Sequence, residues 1–344
     1  MRKDYLAFIL VILMAGACKK HPTEFIIVAK APKEEPPIMS APPPCSGDVW
    51  TTDLDYAGFT PFAKGVYNNK AYFFNYCYGD FSHPYHNKIT IFDGTSWQVI
   101  SSTIPFDPTY IGFSFVIGSK AYLGITQYVG SSTGNCYVYD FPTGTWSQTA
   151  DYPGTITFGP AYFTIDKKGY VAGGNNETWE FDPLAIIKWT RKANYPGADK
   201  DFAAGFSIDG KGYMANGVTY TNNNGVVTTA YLKGLFEYNP SNNTWTTKTG
   251  FPGLPRERSQ SFVISQYGYV GGGRDAEARF IDFYRYDPAE NDWIRIADYN
   301  PNGIVATCFS INSKGYAVWT PAYNQPYKMK KYTPRTCVSI SPTP

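Results

Sequence analysis

Histidine is nearly absent from this chain: three residues in 344, at positions 21, 83 and 86. The scarcity removes most metal and nucleophile chemistry. No Ser or Cys has a His partner implied by spacing, and His83 and His86 in "YCYGDFSHPYHNK" lack a third ligand at a recognised spacing. We expect no metal and no cofactor. Neither sign of charge is in excess, since 30 Lys and Arg face 28 Asp and Glu for a formal net charge of +2. That balance leaves no electrostatic footprint for nucleic acid. Long apolar runs are missing as well. The run from Leu6 to Leu13 falls short of the roughly 20 residues that span a bilayer, and with its basic start it reads as an export signal over residues 1–17.

What is abundant is aromatic: 29 Tyr, 23 Phe and 8 Trp, 17% of the chain. These residues recur in register. "FVIGSKAYLG" from Phe115, "FTIDKKGYVAGG" from Phe163, "FSIDGKGYMANG" from Phe206, "FVISQYGYVGGG" from Phe262 and "FSINSKGYAVW" from Phe309 share one pattern, and "GVYNNKAYFF" is a sixth copy. Each reads as a strand, a polar turn and an aromatic that opens a second strand: Tyr72, Tyr122, Tyr170, Tyr213, Tyr269 and Tyr316. A second signal follows. "IFDGTSW", "VYDFPTGTW", "EFDPLAIIKW", "EYNPSNNTW" and "RYDPAENDW" end at Trp97, Trp146, Trp189, Trp245 and Trp293. Asp or Asn accepts backbone hydrogen bonds in such a turn, Pro presets its φ and the aromatics pack on strand surfaces. The spacing leaves room for four short strands per unit, the size of a propeller blade.

The two ends complete each other. "DVWTTDLDYAG" around Trp50 matches the last strand of a unit, with no preceding three, whereas Cys308 to Pro334 supplies three strands and no tryptophan. Five intact units and one shared unit predict six blades, with the ring closed by strands from both ends. These residues resemble the kelch repeat family over residues 47–337, although the family's double glycine persists only at Gly173-Gly174 and Gly272-Gly273 and is half kept at Asn216-Gly217. The resemblance implies an all-β, six-bladed β-propeller of four-stranded blades, its C-terminal blade completed by the strand around Trp50. The double glycines are not phosphate loops, because strand rather than helix is expected after them.

Outside the ring the expectations concern export. Small residues Ala15 to Ala17 before Cys18 resemble the lipobox of bacterial lipoproteins, which implies lipidation at Cys18, with a Pro-rich tether over residues 18–46 and a tail over 338–344. Lys19 suggests, by resemblance to sorting rules of double-membraned bacteria, transfer to the outer membrane. Cys45 and Cys337 map to the same turn of the shared blade, and we expect a disulfide between them, which an oxidising compartment permits. Cys77 and Cys136 are a weaker pairing, and Cys308, opening an inner strand, is expected as a buried thiol.

In a propeller, the loops between second and third strands and those between blades emerge together around the axis. The candidate ligand-binding residues there are Asn175, Glu177, Asp199, Arg256, Glu257, Arg258 and Arg274, with Asn176, Lys200, Asp201 and Asp275 beside them. An Arg in such a pocket clamps a carboxylate or sugar hydroxyls, but Arg258 also suits a structural role between blades. We favour a non-catalytic binding module at the bacterial envelope, holding a glycan or a protein at the axial face. The alternative, by similarity to exported six-bladed sialic acid mutarotases, is an isomerase with an acid–base group such as Glu257 or Glu177. Galactose oxidase, a copper enzyme with kelch repeats, needs a Cys–Tyr crosslink and two His; the few histidines here argue against that chemistry.

Overall fold

The computed structural model describes residues 48–51, 54–55, 60–76, 87–100, 104–106, 111–125, 134–155, 157–299, 303–320 and 327–334. The export signal, Cys18, the tether, Cys45, Cys77, His83, His86 and Cys337 lie outside them. Strands form six antiparallel sheets. Blade one holds Thr60–Tyr67, Lys70–Tyr76, Ile89–Phe92 and Trp97–Ile100; blade two Ile111–Ile117, Lys120–Ile125, Cys136–Asp140 and Thr145–Thr149. Blade three holds Ala161–Ile165, Lys168–Gly173, Glu177–Phe181 and Trp189–Lys192; blade four Ala204–Ile208, Lys211–Asn223, Val226–Asn239 and Thr244–Lys248. Blade five holds Gln260–Ile264, Tyr267–Gly271, Phe283–Asp287 and Asp292–Arg295; blade six Ile304–Ile311, Lys314–Thr320 and Lys328–Thr333. Val49–Trp50 and Leu54–Asp55 pair with Lys328–Thr333, so the start of the ring supplies the outer edge of its last blade. Inner strands of successive blades touch, including blade six against blade one. The molecule is a six-bladed β-propeller.

Each repeated residue has a packing task. The inner-strand Phe stacks on the Tyr opposite it in its own blade: Phe206 on Tyr213 at 5.2 Å and 9°, Phe262 on Tyr269 at 4.8 Å and 3°. Cross-strand aromatic pairs of this kind stabilise a sheet. The other face of the ring meets the residue before the next blade's second-strand Tyr, which is a glycine in blades three to six and Ala71 and Ala121 in blades one and two. A Cβ on Gly212 would come within 2.0 Å of the Phe163 ring, and Gly169, Gly268 and Gly315 meet Phe115, Phe206 and Phe262 in the same way. One exception explains itself. Blade one has Gly65 where the other blades have Phe, and blade two correspondingly has Ala121 where a glycine would stand. Phe141 fills the space, stacking on Tyr67 at 4.8 Å. Gly212→Ala should therefore lower stability by about 1–3 kcal/mol through overpacking, measured by urea unfolding.

The tryptophans tie blades together. Trp189, Trp245 and Trp293 donate Nε1–H to Ala150 O, Ala193 O and Thr249 O of the preceding blade, at 3.0, 3.1 and 2.8 Å. Trp50 does the same to Ala297 O at 3.0 Å, which places the closing strand in the same relation to blade five. The turns before Trp245 and Trp293 add a second tie. Asn291, with φ of 51°, accepts from Tyr286 OH at 2.9 Å and from the backbone N–H of Thr249 at 3.1 Å. Asn243 repeats the arrangement with Tyr238 and Ala193.

Two local expectations change. Cys136 opens the third strand of blade two, and it is a buried free thiol rather than a paired one, with its Sγ donating to Gly134 O. After Gly173 the chain makes a three-residue 3-10 turn, Gly174–Asn176, before the third strand. It is far too short to act as an anion-binding helix. Cys308 is a buried free thiol in the inner strand of blade six.

Candidate functional site

The inner strands enclose an axial cavity of about 1270 Å³ lined from all six blades. Their strand direction defines its two ends: the inner strands start at the axial face that carries the interblade loops and end at the opposite face in tight hairpins. At one level each blade contributes the residue preceding the conserved Phe position: Lys64, Ser114, Tyr162, Gly205, Ser261 and Cys308. Small polar members of this ring stitch neighbouring blades. Ser114 Oγ donates to Lys64 O at 2.9 Å, and Ser261 Oγ donates to Gly205 O at 2.8 Å. Burial pushes the Lys64 ammonium down to about 8 and the Cys308 thiol up to about 12.

Charge gathers at the mouth. Three successive leading loops are chained by backbone bonds: Phe202 N–H donates to Phe158 O at 2.9 Å, and Arg258 N–H donates to Phe202 O at 3.0 Å. The residue two before the inner strand takes a left-handed conformation in each: Gly159 at φ 55°, Phe202 at 53° and Arg258 at 57°. A side chain in that region costs roughly 1–2 kcal/mol, and such strain clusters at functional sites. The strain presents Phe202 and Arg258 to the cavity, with the guanidinium 3.6 Å above the Phe202 ring centroid and Phe158 stacked on Phe202 at 5.8 Å.

Acids sit beneath these residues. Glu257, only 4% exposed, pairs in a backbone bridge with Arg274, and its Oε1 accepts from Arg274 Nε at 2.8 Å and lies 3.8 Å from Arg258 Nε. Both contacts are made through the Nε of the guanidinium. Arg279, bridged to the backbone of Arg274, completes a three-arginine rim. Asp201 holds the position equivalent to Glu257 one blade earlier. Burial first, then the Asp199 and Glu257 carboxylates, pushes its carboxyl up to about 6.

The long hairpin of blade four reaches this mouth. Its strands Lys211–Asn223 and Val226–Asn239 outrun all others, and a bulge between Ala215 and Gly217 re-aims it. Gly217, at φ 112°, donates its N–H to Arg256 O at 2.9 Å, and Asn216 Nδ2 donates to Ser259 Oγ at 2.9 Å. Tyr220 thereby joins the cavity lining.

The sequence candidates thus divide. Glu257, Arg258 and Arg274 come together at the mouth. Arg256 is fully buried, forked onto Asp282 at 2.5 and 2.9 Å and sandwiched between Phe251 and Phe280. Glu177 accepts from Thr155 N and Trp179 Nε1, Asn175 donates to Thr155 Oγ1, and Asp199 accepts from Tyr195 OH. None of these four lines the cavity. Lys200 is buried under Phe236, 4.2 Å from the ring centroid. Sequence reasoning passed over Phe158, Phe202, Tyr220, Arg279 and Lys64. A signal existed for Lys64, a lysine in an inner strand where other blades carry Ser, Gly, Tyr or Cys. Among the described residues no group of three or more His, Cys, Asp or Glu is arranged to hold a metal ion.

No family model matches the chain. Over 70 residues it is 39% identical to the N-acetylneuraminate epimerase of Yersinia enterocolitica, covering 18% of each chain. Over 78 residues it is 35% identical to that of Shigella flexneri, covering 21% of each. The matched stretch spans about a fifth of those curated relatives. The solved structure of YjhT superposes with a TM-score of 0.62 and 13% identity, over 80% of this chain and 95% of that one. The shared ring architecture is that of a six-bladed β-propeller, and the sequence similarity to the N-acetylneuraminate epimerases is local.

Proposed function

We propose that this propeller is an exported, envelope-anchored binding module that holds an acidic glycan at the mouth of its axial cavity. The observation that carries the reading is the rim of Arg258, Arg274 and Arg279 lining the cavity beside the exposed rings of Phe158 and Tyr220 and the half-buried ring of Phe202. Guanidiniums take carboxylates in forked geometry, and aromatic faces pack on sugar rings at low entropic cost. Titration of the folded protein with acidic and neutral sugars tests it. Retention of acidic sugars is expected, with Arg274→Ala weakening affinity by roughly ten- to a hundredfold, as for a lost charged hydrogen bond. Equal binding of neutral and acidic sugars, or none at all, sinks it.

The pH dependence has a definite sign. Asp201 is raised in the folded state, so it holds its proton up to about pH 6. Protonation removes a negative charge beside the rim, so affinity for a carboxylate ligand should rise as pH falls from 7.5 towards 5.5 (roughly the window around that value). Asp201→Asn should flatten the profile. The same raised value makes Asp201's contribution to stability greatest below the unfolded carboxyl pKa, lost as pH rises through about 6.

A second reading is an isomerase of an acidic sugar. The short similarity to N-acetylneuraminate epimerases supports it, as does Asp201, poised for proton transfer near neutral pH. Sugar anomer exchange followed by NMR separates the two: acceleration that disappears in Asp201→Asn favours the enzyme, whereas retention without acceleration favours the binding module.

A further inference from the structure

The face opposite the mouth carries an outlier. In blade three the turn between the third and outer strands reads Asp182-Pro-Leu-Ala-Ile-Ile-Lys188, where blades four and five have Asn-Pro-Ser-Asn-Asn-Thr and Asp-Pro-Ala-Glu-Asn-Asp. Leu184, Ile186 and Ile187 are 85%, 100% and 75% exposed, the most exposed large apolar side chains among the described residues. The turn is nevertheless built rather than slack. Asp182 Oδ1 accepts from Leu184 N–H at 2.9 Å, Asp182 N–H donates to Lys188 O at 2.8 Å, and Lys188 Nζ donates to Pro183 O at 2.8 Å. Its polar groups are turned inward on one another, and its aliphatic groups are presented to the outside.

Strand direction gives this turn a second meaning. Val49 pairs with Thr333 and Asp55 with Lys328, so the first described strand runs from the hairpin face towards the mouth. The chain therefore joins the ring at Asp48 on the same face as the aliphatic turn, in blade six, across the ring from blade three. Residues 18–47, extended, reach on the order of 100 Å, too far for a tether to orient a ring by itself. A second contact on the same face would.

We propose that the Asp182–Lys188 turn is a membrane-contact element, in which Leu184, Ile186 and Ile187 enter the apolar edge of a lipid bilayer and hold the axial mouth away from it. A second copy of the chain fits less well. One convex turn with three aliphatic side chains cannot supply the roughly 1,000 Å² or more that a stable protein interface buries, whereas a bilayer yields around a protruding apolar tip. Acids are interspersed among the Lys side chains of this face: Lys120 pairs with Asp140 at 3.4 Å, Lys168 pairs with Glu180 at 2.9 Å and with Asp182 at 3.3 Å, and Lys188 is turned onto Pro183 O. Apolar insertion rather than attraction to anionic lipid is the driving force, so uncharged vesicles suffice. The inference shares with the ligand reading only the expectation of an envelope anchor and stands apart from what the mouth binds.

The test uses the full chain on phosphatidylcholine vesicles carrying a photoreactive group in the acyl chain, with lipid adducts mapped by mass spectrometry. Adducts are expected on the peptide containing Leu184 to Lys188 and not on the hairpin containing Tyr220. Replacing Leu184, Ile186 and Ile187 together by Ser should cut them on the order of tenfold, with the folded fraction unchanged because these side chains are exposed. Adducts equally distributed between the two faces, or absent from the turn, overturn the proposal. So does a concentration-dependent dimer without vesicles that the triple Ser variant abolishes. None of these results bears on sugar retention at the mouth.

Discussion

Arg256→Ala is expected to lower stability by about 3–5 kcal/mol, the cost of breaking a buried ion pair by removing one partner. The guanidinium is fully buried and makes four hydrogen bonds, two to Asp282 and one each to Leu254 O and Gly272 O. Truncation strands the Asp282 carboxylate and two carbonyls, and it empties the slot between Phe251 and Phe280. That is a large part of the 5–15 kcal/mol that stabilises most domains. Replacing both partners by apolar residues, Arg256→Met with Asp282→Leu, should recover most of the loss, because the desolvation penalty of both charges disappears with them. Urea unfolding of the two single variants and the double variant measures the coupling. At temperatures where Arg256→Ala remains folded, ligand affinity should stay within about twofold of the parent. A tenfold fall there would instead make Arg256 part of the ligand site.

Trp50→Ala is the second large effect, at about 3 kcal/mol, the lower end of the range for Trp truncation because the ring is half-buried. Its indole packs on Phe283, Tyr299 and Tyr332 with centroids 5.2, 5.1 and 5.2 Å away, and its Nε1–H holds Ala297 O. These partners belong to blades five and six, so the side chain joins the first strand to both. The loss should be visible where the ring closes. Amide exchange in Lys328–Thr333 is expected to accelerate in Trp50→Ala and to remain at the parent rate in Trp245→Ala, whose indole ties blade four to blade three. Unchanged exchange in Lys328–Thr333 on loss of Trp50 would mean that closure is held by the backbone pairing alone.

The contrast between Arg256 and Arg258 shows where reading the amino-acid order stops. Both stand in "PRERS", two residues apart, and nothing in that string distinguishes them. Arg256 finds Asp282, 26 residues on, because the third strand of blade five begins just beyond it. Arg258 is carried by a left-handed backbone conformation to Phe202, which belongs to another blade. Glu177 and Glu257 separate in the same way: one is consumed by Thr155 and Trp179, the other braces the arginine rim. Asp201 becomes unusual because the fold partly buries it and then sets the Asp199 and Glu257 carboxylates near it.

The blade count, the four strands of each blade and the closure by Trp50 follow from the amino-acid order alone. The reason is that Phe, Gly, Tyr, Asn and Trp each act on a partner in the same blade or the next, so their tasks repeat with the sequence. Even the exception at Gly65 is written twice, with Ala121 in the facing position. The mouth of the cavity repeats nothing. Arg258, Arg274, Arg279 and Asp201 come from loops of two blades, and only the curvature of the closed ring, with the bulged hairpin of blade four, decides which polar side chains meet there and which are spent on packing.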